Sequence, residues 1–248
     1  MEFLLALQFL TRIPVTVRGN VEEKNLARSM AYYPVVGLLL GILTAAVYII
    51  LSQFFSPPVC DLFAVAFTVF ITGNMHTDAL MDTADGFFSG KPKDRILEIM
   101  KDSRVGSHGV IAGCLDLLFK FILLGQIPPD AKLAGLVLVP ALGRWSLVYG
   151  SAVYDYARSG GGTGTFTDLV GRRELAWASV TVIIAGLFLL NLPGFILTAC
   201  AFAGSVLLGR YINKKIGGVT GDTLGAMNEC IEVLTLALIP LLLKLNLF

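Results

Sequence analysis

LFAVAFTVFITGNMHTDALMDTADG, residues 62–86, opens as an apolar run and closes with Asp78, Asp82 and Asp85. A charged side chain inside a bilayer costs at least a few kcal/mol, so acids this close to a greasy segment lie at a membrane surface, hold a partner, or both. The rest of the chain makes the segment a span. Of its 248 residues, 55% are hydrophobic and only 15% charged, and the mean hydropathy is +0.75. That composition lies outside the soluble globular range. Because a span needs roughly 20 apolar residues, seven are expected, at about 30–52, 59–76, 107–127, 132–154, 174–191, 193–212 and 228–247. The expected fold class is an all-α, polytopic membrane bundle of about seven spans with an N-terminal interfacial helix.

That N-terminal helix is MEFLLALQFLTRIPV, residues 1–15, ended by Pro14. It lacks the basic start and small-residue cleavage site of a secretory signal. Fifteen of the 19 Lys and Arg fall before the first span or after the second, fourth and sixth. Basic loops stay in the cytoplasm, so the N-terminus is expected inside and the acidic segment at the cytoplasmic face of a cell membrane. A formal charge of +1 gives a nucleic-acid partner no footing. Cys60, Cys114, Cys200 and Cys230 have no CxxC spacing and read as small core residues. With no linker, low-complexity block or internal repeat, residues 1–248 are expected to form one catalytic membrane domain.

Asp78, Asp82 and Asp85 follow i, i+4, i+7 spacing, which on a helix gathers them within about 60°. Crowded carboxylates repel, and a divalent cation relieves the repulsion. Oxygen ligands without thiolate favour magnesium, manganese or calcium over zinc. Gly86, lacking a side chain, would let a phosphate approach the backbone. His76 would point away from the acidic stripe.

Other candidates lie in loops on the same expected face. KDRILEIMKD, residues 93–102, has the spacing of a short surface helix. Lys101, Asp102, Ser103 and Arg104 precede the third span, where Arg suits bidentate phosphate binding. Two loops are glycine-rich, SGGGTGTF at 159–166 and GGVTGDTLGA at 217–226; the second carries Asp222 and Thr223, and its glycines suit a phosphate cradle or a flexible turn. Glu229 and Glu232 begin the last span, where acids are usually functional. Arg144 is a natural counter-charge for them, while Asp116 and Lys120, at i and i+4, are expected to pair with each other.

Three stretches together resemble the cobalamin synthase family of membrane enzymes: LQFLTRIPV at 7–15, HTDALMDTADGFFSGKPKDRILEIMKDSRVGSHGV at 76–110, and GGVTGDTLGAMNECIE at 217–232. The family's usual pattern around the acids is closer to H-L-D-G-L-A-D-T-A-D-G; here Thr77, Ala79 and Met81 depart from it while His76 and the aspartates remain. The resemblance implies a late step of cobalamin assembly. A ribose hydroxyl of alpha-ribazole or its 5'-phosphate attacks the phosphate on the corrinoid arm of adenosylcobinamide-GDP, and GMP leaves. It also implies Mg2+ as cofactor. On that chemistry Asp78, Asp82, Asp85 and Asp222 are the expected metal ligands, Asp82 and Asp85 being catalytic as well. Lys101 and Arg104, with Asp102, Ser103, Gly86 and Thr223, are expected around the substrates, and either His76 or Glu229 as general base. Expected partners are the two small-molecule substrates and the lipid bilayer, with homo-oligomers allowed.

Two alternatives are weaker. The D-x-x-D-G core, Asp82 to Gly86, also looks like part of the CDP-alcohol phosphotransferase signature, but FFSGKPKDR follows where that family continues differently. Cation transporters place acids near the midplane, often in repeated halves, and no repeat is present here.

Overall fold

The computed structural model describes residues 1–158 and 164–244. Its elements are α1 (Glu2–Leu10), α2 (Glu23–Ser29), a 3-10 turn (Met30–Tyr32), α3 (Tyr33–Leu51), α4 (Pro57–Thr72), α5 (Met75–Phe87), α6 (Lys93–Ile99), α7 (Ser107–Gln126), α8 (Pro129–Val153), α9 (Gly164–Thr167), α10 (Arg172–Ile216) and α11 (Gly221–Lys244). Prolines in the first turns of α3, α4 and α8 start those helices where no amide partner is needed. The 159–166 glycine loop falls largely on residues 159–163, outside the described residues.

α8 is the axis of the bundle, packed between α3, α10 and α11. Small residues let it sit close to α3. A Cβ on Gly37 would stand 2.6 Å from the Ala141 Cα, and one on Gly41 2.5 Å from the Val137 Cα. These glycines lie one turn apart, the spacing that allows membrane helices to touch backbone to backbone.

Five described helical segments are long and apolar enough to cross a membrane, or six if the bent pair α4 and α5 is counted as one broken span. The expected seven also treats the two arms of α10 as separate spans, which this count by length and composition does not do. Those arms are nonetheless distinct. Asn191 has φ 51 and ψ −133, and the chain reverses there. A Cβ on Gly186 would meet Thr198 Oγ1 at 2.8 Å and Gly194 O at 2.7 Å. In a straight helix residues twelve apart are separated by about 18 Å.

The acidic segment is no tail of a span. Gly73 and Asn74 both take left-handed angles, φ 68 and 64, and the chain bends 87° between α4 and α5. The Arg12 amide donates to Ile71 O at 2.7 Å, and its side chain fills the space beside Gly73. The expected span to residue 76 therefore stops at Thr72, and His76 belongs to the polar helix. α5 packs on α7 and α11 at one end of the bundle. α6 is the expected short helix, with Ile96 and Met100 buried.

Candidate active site

α5 presents Asp78, Asp82 and Asp85, and the start of α11 brings Asp222 to them. The Asp82 carboxyl is pushed up to about 6, first by partial burial and then by the charges of Asp78, Asp222 and Asp85, against which Arg158 pulls. A partly buried carboxyl crowded by like charges would be relieved by a cation.

Arg158 reaches the site through the backbone. The loop after α8 is stitched to the α10–α11 turn by Ala157 N to Val219 O, 2.8 Å, and Val219 N to Asp155 O, 2.9 Å. Gly218, at φ 151, allows this contact, since a Cβ there would stand 2.4 Å from Asp155 O. The stitch sets Arg158 Nη2 at 2.6 Å from Asp222 Oδ2. In sequence Arg158 is one basic loop residue among many, and only the pairing of two distant loops marks it.

Asp85 has a structural use beside the ligand and catalytic roles expected of it. Its Oδ2 accepts the Gly106 amide at 2.6 Å and its Oδ1 the Gly109 amide at 2.8 Å. Both oxygens thus cap α7 from a neighbouring helix, where free amides and the helix dipole favour a negative charge. Gly106 and Gly109 have to be glycine for this: a Cβ on either would come within 2.4 Å of an Asp85 oxygen.

A cavity of about 270 Å³ opens beside Asp78 and Asp222. His76 and Arg158 share its lining, and Phe9, Met30, Tyr33 and Phe166 supply an apolar wall from the N-terminal helices and α9. Phe9 stacks on Tyr33 with ring centroids 6.1 Å apart and meets Phe166 edge-on at 6.0 Å. The aromatic wall went unseen in the sequence because Phe166 lies more than 130 residues from Phe9 and Tyr33.

Deeper in the bundle runs a buried polar network. Lys120 bonds Glu229, reaches Glu232 at 2.9 Å and lies 3.4 Å from Asp116. Arg144 bonds Glu232, and Asn228 donates to both glutamates. Lys120 thus joins α7 to α11 rather than pairing only along its own helix, and Arg144 answers Glu232, not Glu229. Glu229 is 3% exposed and tied to Lys120 and Asn228, which removes it as general base.

His76 also leaves that role. Its Nδ1 lies 3.4 Å from Arg144 Nη2. A guanidinium only donates, so Nδ1 accepts and the proton of the neutral ring resides on Nε2. No lone pair remains to take a proton from substrate.

Other expected substrate residues lie elsewhere. Arg104, 88% exposed, grips Asp102 through Nε at 3.0 Å and Nη2 at 2.7 Å, and these hydrogen bonds pull the Asp102 carboxyl down to about 2. Neither they nor Lys101 and Ser103 line the cavity. The close approach at Gly86 is taken by α6, since a Cβ there would meet Met100 at 2.6 Å. Thr223 is fully buried in the first turn of α11, where its Oγ1 accepts the Thr220 amide and its own amide donates to Thr220 Oγ1, so Thr220 caps the helix and Thr223 completes the box.

Among the described residues no three His, Cys, Asp or Glu side chains converge as a ready-made metal cage. Magnesium seldom requires one, being held commonly by one or two carboxylates plus substrate phosphates. Asp78 and Asp82, with Asp222 behind Arg158, fit that smaller demand.

Fold and site together define a polytopic helical membrane protein with a carboxylate-and-arginine centre at one end of its bundle. Against known families, residues 2–240 match cobalamin-5-phosphate synthase. The chain is 41% identical over 236 residues to an adenosylcobinamide-GDP ribazoletransferase of Thermoanaerobacter pseudethanolicus, covering 94% of each chain. A protein of the same name from Desulforamulus reducens is 40% identical, covering 96% of this chain and 95% of the relative. One from Clostridium kluyveri is 35% identical at the same coverage. No solved structure matches. The chain belongs to the cobalamin-5-phosphate synthase family.

Proposed function

We propose that this chain is a transferase of phosphorus-containing groups that joins adenosylcobinamide-GDP to alpha-ribazole or its 5'-phosphate, releasing GMP, in late cobalamin biosynthesis. The observation that carries this reading is the match over residues 2–240 to a family whose relatives bear the name of that reaction. The site is consistent with it. Breaking a pyrophosphate requires neutralisation of charge on the transferred and leaving phosphates. Arg158 supplies a fixed positive charge beside Asp222. Asp78 and Asp82 would hold Mg2+, which when bound offsets phosphate charge. The concentration of Lys and Arg in alternate loops supports a cytoplasmic site at the cell membrane.

The test is GMP release by detergent-purified protein given both substrates and Mg2+. Release that requires both substrates, stops with EDTA and is lost in Asp82→Asn is the expected result. A folded parent that releases no GMP sinks the reading and directs the search to CDP-alcohol substrates.

A further inference from the structure

We propose that the cavity beside Asp78 and Asp222 seats the acceptor nucleoside, with its dimethylbenzimidazole ring against the Phe9, Tyr33 and Phe166 wall and its ribose toward the acids. The inference rests on the function proposed above and goes on to say which substrate enters which space. Size is the first argument. At about 270 Å³ the cavity lies near the lower end of small-molecule sites, roughly 300–1,000 Å³, and a corrin macrocycle with its side chains has no room there. A nucleoside or nucleotide portion is what remains.

Polarity then separates the two heterocycles. Guanine carries acceptors at O6 and N7 and an amino donor at N2, and each needs a partner when buried. The carboxylates could take the donor, and the lining's guanidinium, Arg158, is already engaged by Asp222 while His76 faces Arg144; against the aromatic wall, O6 and N7 would face aromatic rings and the Met30 thioether. Dimethylbenzimidazole, bound to ribose through one nitrogen, retains a single acceptor, and its two methyl groups gain from apolar burial. The wall is also already built. Met30, Tyr33 and Phe166 are 2%, 3% and 6% exposed, so little side-chain order remains to be lost on binding. Phe9, at 39%, forms the open side. A ring placed there directs the attached ribose to Asp78 and Asp222, where the attacking hydroxyl is needed. GDP and its corrinoid then approach from outside, over Arg158.

The experiment is steady-state GMP release with one substrate varied at a time, in the parent and in Phe9→Ala, whose partly exposed side chain is not a core element. Base–aromatic stacking is worth about 1–3 kcal/mol, so the KM for alpha-ribazole should rise roughly 5- to 150-fold while that for adenosylcobinamide-GDP holds. A rise in the KM for adenosylcobinamide-GDP instead, or in neither, overturns the assignment. A readout without turnover runs beside it. Alpha-ribazole alone should raise the melting temperature of the parent and do so far less in Phe9→Ala; equal stabilisation of both proteins overturns the placement. If Phe9→Ala does not fold, Phe9→Leu and competition by free dimethylbenzimidazole in the parent replace it, with inhibition competitive against alpha-ribazole expected and inhibition competitive against adenosylcobinamide-GDP overturning the placement. A parent that is stabilised by alpha-ribazole yet never releases GMP would remove the proposed reaction and leave the cavity assignment standing.

Discussion

Replacing Asp85 separates a metal ligand from a helix cap. As a metal ligand, it should matter for turnover and little for folding, because removing one of several crowded acids relieves repulsion. As the cap seen here, it satisfies two α7 amides at 2.6 and 2.8 Å from a part-buried position. A hydrogen bond to a charged group contributes roughly 1.5–3 kcal/mol, and water recovers part of each when the carboxylate goes. Asp85→Ala is therefore expected to cost about 2–4 kcal/mol, above the ~1 kcal/mol of an ordinary cap because both oxygens are used. Asp85→Asn keeps one acceptor but turns an amide N–H₂ toward the other donor, and should cost about half as much. Gly109→Ala attacks the same contact from α7, placing a methyl 2.4 Å from Asp85 Oδ2 and 2.9 Å from Met81 O. The double variant with Asp85→Ala should lose less than the sum of the two, since both act on one contact. Thermal unfolding in detergent reads the order parent, Asn, Ala, and GMP release by Asp85→Asn well below its melting temperature should persist. An Asp85→Ala protein that melts like the parent yet releases no GMP would refute the capping argument.

Asp82→Asn should abolish GMP release yet stabilise the metal-free protein at pH 7.5. The Asp82 carboxyl is raised from 3.8 to about 6, so its ionisation disfavours the fold above pH 6, while below about pH 4 the residue is neutral in both folded and unfolded chains. The melting-temperature gain over the parent, measured in EDTA, should accordingly shrink from pH 7 to pH 4. Adding Mg2+ at pH 7.5 should raise the melting temperature of the parent and leave Asp78→Asn/Asp82→Asn unmoved; an equal shift in both would place the ion elsewhere. Asp61 and Lys132, 2% and 5% exposed, pair at 2.8 Å between α4 and α8. Asp61→Ala should cost about 3–5 kcal/mol by stranding the ammonium, and adding Lys132→Met should recover most of it, as compared by thermal unfolding.

The bundle was legible because burial in lipid requires long apolar helices with satisfied backbones, and that demand is written residue by residue along the chain. Boundaries near 107, 129 and 193 follow from prolines, glycines and the ends of apolar runs, which are local signals. The acidic stripe was legible for the same reason, since i, i+4, i+7 spacing is a property of one helix. The corner at Gly73–Asn74 was harder to see, because the left-handed pair is held by Arg12, sixty residues earlier. Partnership is a different kind of fact. That Asp85 caps α7, that Lys120 reaches past Asp116 to two glutamates, that Arg158 meets Asp222, and that Phe9 and Phe166 share a wall all depend on which helices become neighbours. Side-chain chemistry and helical period belong to the chain. The assignment of each charge to a ligand, a cap or a counter-ion is made only when helices distant in sequence pack within hydrogen-bonding reach of one another.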